Sequence, residues 1–130
     1  MIKKAKFLLK EATLRVKYMT SKDCIFCKMI TGEMIVQKVF ENEEVLAIND
    51  INPVAKVHIL IMPKKHLQSV LTIKDEDANS LVELFKAAQK IVRDKRIESF
   101  RLAFNAGKFQ HVDHLHMHLL AGGKVEWAKL

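Results

Sequence analysis

Between Asp75 and Lys95 the apolar residues recur at helical spacing. Ala78, Leu81, Val82, Phe85, Ala88 and Val92 fall on one face, Asp75, Glu76 and Asp77 enrich the first turn, and Arg93 and Lys95 the last, a charge order that suits the helix dipole. The pattern predicts one long core-packing helix over 75–95. Elsewhere the runs are shorter. "IVQKVFEN" and "VLAINDI" read as two strands joined by the polar turn "ENEE", and "VHILIMP", after the turn "NPVAK", as a nearly continuous apolar strand ended by Pro63. "FRLAFNAG" and "HLHMHLLAGG" add two strands separated by "KFQHVD", and "CIFCKMITGE", with Asp23 as a cap and Gly32 as a stop, predicts a short helix. The expected architecture is α+β: an antiparallel sheet of about five strands with one long and one short helix on one face. Its other face or edge needs a second covering, which a homodimer partner would supply.

A length of 130 residues allows one ordinary domain. With 49% apolar and 28% charged residues the composition is that of a soluble globular protein, and no window approaches the roughly 18 uninterrupted apolar residues of a spanning helix. The net charge of +7 invites a nucleic-acid reading, but residues 1–18 hold six lysines and arginines against Glu11 alone, so five of those charges lie in the leader. The rest is only slightly basic, and neither a nucleic-acid nor a membrane partner is expected. The basic leader reads as a disordered or helical tail, as an extension upstream of a start at Met19, or as an organellar targeting segment. Setting it aside leaves one domain over 19–130, expected in the cytoplasm because nothing resembles a secretory signal. Both cysteines sit in "CIFC", Cys24 and Cys27, a spacing that points to metal binding or a redox pair rather than a disulfide framework.

The densest chemistry is in "HVDHLHMHLL", residues 111–120. On a strand, successive side chains point to opposite faces, so His114, His116 and His118 share one face while Leu115, Met117 and Leu119 share the other. Three close imidazoles repel one another when protonated, which argues against a purely structural role. Two uses remain: an alternating pair can chelate zinc, or one imidazole can act as a nucleophile while its neighbours fix its tautomer and assist proton transfer. The adjoining "NAGKFQ" offers Asn105, Lys108, Gln110 and backbone amides to an anion. No glutamate lies within the triad segment to activate a metal-bound water, and Asp113 falls on the strand face opposite His114. The surroundings favour phosphoryl chemistry on imidazole.

"HLHMHLL", residues 114–120, resembles the His-φ-His-φ-His-φ-φ signature of the histidine triad (HIT) superfamily, φ being apolar. "CIFCKMITGE", "VLAINDINPVAKVHILIMPKKH", "NAG" and the trailing "AGG…W" match in the same order, so the resemblance spans residues 24–127. The histidine triad nucleotide-binding branch implies an α+β homodimer that hydrolyses purine nucleoside phosphoramidates at the α-phosphate through a nucleotidyl-histidine. By position the resemblance makes His116 the nucleophile; His118 contacts the phosphate, His114 orients the nucleophile and His58 supports the triad. Asp50 and Ile51 match the ribose-binding pair, Ile25, Phe26 and Asn49 the base pocket, and Asn105, Gln110 and Val112 the phosphate surroundings. It also implies a structural zinc on Cys24, Cys27, His66 and His114, and no organic cofactor. The chain departs from the pattern in a shortened loop after Asn105, in Phe109 in place of a glycine, and in His111 where many members carry serine or threonine. A dinucleoside polyphosphate hydrolase and a nucleotide-sensing or partner-binding module with negligible turnover stay open as alternatives.

Overall fold

The computed structural model describes Ser21 and residues 23–130; the basic leader, 1–18, lies outside the described residues. Five strands, β1 (Lys38–Glu41), β2 (Val45–Asn49), β3 (Val57–Pro63), β4 (Arg101–Ala103) and β5 (Met117–Ala121), form one sheet in the order β1-β2-β3-β5-β4. Every pairing is antiparallel. The β1–β2 turn is held by Asn42, whose Oδ1 accepts from the backbone N–H groups of Glu44 and Val45 at 2.9 and 2.8 Å, the use of asparagine that makes it a turn residue. Among the described residues no helix is long and apolar enough to cross a membrane.

The strand period of two divides the molecule into two packed layers. Val45, Ala47, Ile59, Ile61, Met117 and Leu119 point to one side and meet Leu84, Ala87, Ala88, Ile91 and Val92 of the long helix α2 (Ala78–Asp94). Leu46, Ile48, Leu60 and Met62 point to the other, where they meet Phe26, Cys27 and Ile30 of the short helix α1 (Ile25–Thr31). The helices therefore cover both faces, not one as the strand and helix order suggested. A short helix can do this because Phe26, Cys27 and Ile30 recur on one side of it.

Two further expectations are corrected. The buried face of α2 is Ser80, Leu84, Ala87, Ala88, Ile91 and Val92, whereas Ala78 is exposed and Val82 and Phe85 keep 49% and 47% of their surface. The helix carries two apolar stripes, and Leu84 with Ile91 anchors the one that faces the sheet. The cap of α1 is Cys24, whose Sγ accepts from the Cys27 N–H, rather than Asp23; Gly32 ends it at φ 85°, as its lack of a Cβ allows.

Candidate active site

The register of β3 and β5 decides which histidines meet. His58 pairs with Leu120 and Leu60 with His118, so His58 and His118 are diagonal neighbours on the α1 side of the sheet. The ladder ends at Ile61–Met117, and the Leu115 N–H goes instead to the carbonyl of Leu67 at 2.6 Å. His114 and His116 therefore lie on the extended lead-in to β5 rather than in the strand, and the alternation still holds: Leu115, Met117 and Leu119 are in the α2 core. All three triad rings are buried.

Their hydrogen bonds assign different tautomers to neighbouring rings, since a neutral imidazole has one N–H and one lone pair. The backbone N–H of Val54 donates to His58 Nδ1 at 3.1 Å, which puts the His58 proton on Nε2. That N–H faces His118 Nδ1 at 2.9 Å and the Asp50 carboxylate at 3.3 Å. His118 consequently accepts at Nδ1 and carries its proton on Nε2; Asn105 Nδ2 lies 3.5 Å from that nitrogen, and the amide accepts from it once its oxygen and nitrogen are exchanged. His116 is the reverse case. Its Nδ1–H donates to the His114 carbonyl at 2.7 Å, leaving Nε2 with a lone pair. Phe26 stands edge-on to the His116 ring, centroids 5.1 Å apart, and the His118 ring lies 5.0 Å away on another side.

Burial keeps these rings uncharged. It lowers the pKa of His58, partly offset by Asp50, and is the first cause of lowering in His116. His118 is pushed down to about 3 by burial, then by the charges of His116, His58 and His111. An uncharged His116 with a bare Nε2 beside an uncharged His118 with an N–H is a nucleophile next to a hydrogen-bond donor.

His116 and His118 line a cavity of about 420 Å³, whose other walls include Ile25, Phe26, Asn49, Asp50, Ile51, His58 and Val112. That volume lies in the usual range for a small-molecule site, about 300–1,000 Å³. Of the residues singled out in the sequence, His114 points away to a different cluster, and Asn105 and Gln110 are not on the cavity wall. Gln110 instead ties its loop down, its Nε2 donating to the carbonyls of Gln68 and Val112 at 2.7 and 2.9 Å. Met29, Ile48 and Leu60 complete the apolar wall, and Asn52, His111, Lys129 and Leu130 also reach it. Met29 was legible as the residue one turn beyond Ile25 on the same helix; the approach of Lys129 and Leu130 is a matter of tertiary packing.

Behind the triad, Cys24, Cys27, His66 and His114 bring one donor atom each within 4.8 Å of one another. His114 Nδ1 lies 3.3 Å from Cys24 Sγ, 3.5 Å from Cys27 Sγ and 3.0 Å from His66 Nδ1. Its Nε2–H donates to the Pro63 carbonyl at 2.8 Å, so the atom facing the cluster is the lone pair. Hydrogen bonding from Cys27, then from His114 and His66, holds the Cys24 thiol far below its ordinary range against the opposing effect of burial. Two sulfurs and two imidazole nitrogens converging in this way form a Cys/His cluster suited to a metal ion. Asp50, His58 and His118 also lie close together, but the Val54 N–H already occupies the His58 lone pair and leaves that ring nothing to give a metal.

Residues 23–128 match the family described as scavenger mRNA decapping enzyme C-term binding. A HIT-like protein of Chlamydia muridarum is 42% identical over 102 residues, 76% of this chain and 81% of that protein. The chain belongs to the HIT-like superfamily. Its five-stranded antiparallel sheet with one long helix is that fold. A histidine triad protein from Clostridium difficile superposes with TM-score 0.78 at 43% identity, covering 82% of this chain and 96% of that one. A HIT family hydrolase from Clostridium thermocellum does so with TM-score 0.77 at 44% identity, covering 80% and 94%.

Proposed function

We propose that this HIT-like protein is a cytoplasmic, homodimeric hydrolase of purine nucleoside phosphoramidates and related nucleotide conjugates, acting at the α-phosphate. The observation that carries the reading is the bare Nε2 of His116. It is buried, it lines the cavity, and its partner nitrogen is spent on the His114 carbonyl, so attack on phosphorus needs no prior deprotonation. The base would lie against Ile25, Phe26 and Asn49, the ribose against Asp50 and Ile51, and the phosphate within reach of the His118 N–H. Asn105, Gln110 and Val112 would hold the phosphate loop in place. Attack would release the leaving group and put the nucleoside monophosphate on His116; water would then cleave the P–N bond and restore the ring. His58 keeps the His118 proton on Nε2, where a phosphoryl oxygen can accept it.

The Cys/His cluster fits zinc. Bonds of about 2.3 Å to sulfur and 2.0–2.1 Å to nitrogen imply tetrahedral edges of about 3.6 Å between sulfur and nitrogen and about 3.3 Å between nitrogens, close to the distances above. Cys24, Cys27, His66 and His114 would hold the ion, which would supply a fixed anchor for His114. Because the His114 carbonyl accepts the hydrogen bond from His116 Nδ1–H, that anchor would position the nucleophile without touching substrate.

Replacing His116 with alanine tests the reading. His116→Ala should lower turnover of adenosine 5′-phosphoramidate by at least about 10³-fold while AMP, measured by titration calorimetry, still binds. Retained turnover refutes it.

A further inference from the structure

The proposed chemistry leaves one proton without a source. When His116 Nε2 bonds to phosphorus and the P–N bond of a phosphoramidate breaks, the electron pair goes to the departing nitrogen, and an amine leaves easily only if it is protonated. The buried rings are poorly placed to supply it. His116 is the attacking group, its remaining N–H fixed on the His114 carbonyl. His58 gives its N–H to His118 and Asp50. His118 has a single N–H, which the phosphoryl oxygen uses.

His66 and His114 face the Cys/His cluster, which leaves His111. It lines the same cavity as His116 and His118, so a substrate held there can reach all three rings. It is also exposed to water, unlike the triad, so it can be recharged from solvent between turnovers. Moreover, Ile25, His111 and Val112 line a second cavity of about 410 Å³, with Ser21, Asp23, Cys24, His66 and Asp113. The two cavities share a wall at these three residues. A conjugate whose nucleotide fills the first would pass its leaving group by His111 into the second. The charged or titratable side chains lining the two cavities with His111 are Asp23, Cys24, Asp50, His58, His66, Asp113, His116, His118 and Lys129. Lys129 is the other cation there, and its ammonium is engaged by Glu126 at 3.3 Å.

We infer that His111 is a catalytic residue of this chain, the general acid that protonates the leaving nitrogen, and that the second cavity receives that leaving group. The step balances: the Nε2–P bond forms, the P–N bond breaks, the proton passes from the His111 imidazolium to the leaving nitrogen, and a neutral amine departs. In the hydrolytic step neutral His111 takes the proton of the attacking water and the cycle closes. This rests on the phosphoramidate reading of His116.

The test compares two leaving groups on one nucleotide, an alkylamine and p-nitrophenolate, the second of which departs without a proton. For His111→Ala and for His111→Asn, kcat/KM should fall about 10²- to 10⁴-fold with the alkylamide, and at least tenfold less with the nitrophenyl ester. Circular dichroism reports whether each variant keeps the fold. If the alkylamide loss is absent, or both substrates lose equally in both folded variants, His111 is not the acid. If wild type cleaves the alkylamide through His116 while the variants match it, only this inference falls. If wild type cleaves neither substrate, the phosphoramidate reading falls and takes this one with it.

Discussion

The folded chain protonates His118 only near pH 3 and His58 below its ordinary value, burial being the first cause in each. An unfolded chain protonates histidine near 6.5, so between that value and about 3 the unfolded state binds more protons and stability falls as the pH drops. The contribution is full above about pH 6.5 and fades below it. Thermal unfolding should therefore show Tm declining from pH 6.5 to 4, and His118→Asn should decline less steeply. Equal slopes in the two proteins would contradict the burial account. At this scale the sequence shows that the imidazoles share a face but not their tautomers. Those are set by the Val54 N–H and by the carbonyls of His114 and Pro63, backbone groups whose positions arise only from the fold. The same holds for Gln110, legible as a polar loop residue but spent on the carbonyls of Gln68 and Val112.

Among the elements, α1 does two jobs. Its apolar side covers the sheet through Phe26, Cys27 and Ile30, while its cap Cys24 and first-turn Cys27 supply two of the four donor atoms of the Cys/His cluster. His66 comes from the segment after β3 and His114 from the lead-in to β5, so an ion there would tie three separate parts of the chain together. Protein purified without added metal should carry about one equivalent of zinc per chain, and Cys27→Ser should carry less and unfold at lower temperature. Less than a tenth of an equivalent in wild type would reject zinc. The element pattern was readable because strands and helices declare their periods, as in Leu115, Met117 and Leu119. On α2 it held for Leu81, Ala88 and Val92 and failed for Ala78, Val82 and Phe85, because two apolar stripes lie side by side. Val82 and Phe85 look like core in the sequence, yet the sheet takes Leu84, Ala87 and Ile91 in their place. Periodicity measures amphipathicity and does not rank stripes.

For the whole molecule, the outward stripe fits the proposed dimer. Val82 and Phe85 are half exposed, and β4 is the end strand of the sheet, with three residues paired to β5 only. Apolar surface beside an open edge is what a second copy covers. Sedimentation should show a dimer for wild type and a monomer for Phe85→Glu with the fold retained; a wild-type monomer at micromolar concentration would contradict the dimer. The sequence reached the HIT-like family because its motifs occur in one order over most of the chain. It had less grip on the cavity, whose wall brings Lys129 and Leu130 together with α1 and β2, an assembly that no local spacing encodes.

The central claim is a covalent bond from His116 Nε2 to the α-phosphorus. Rapid mixing with a nucleoside phosphoramidate, quenching in alkali and peptide mass spectrometry reads it directly. A nucleoside monophosphate carried on His116, rising within the first turnover and decaying at the rate of product formation, is the predicted result. Turnover with no adduct on residue 116, or with the adduct on another side chain, would contradict the account.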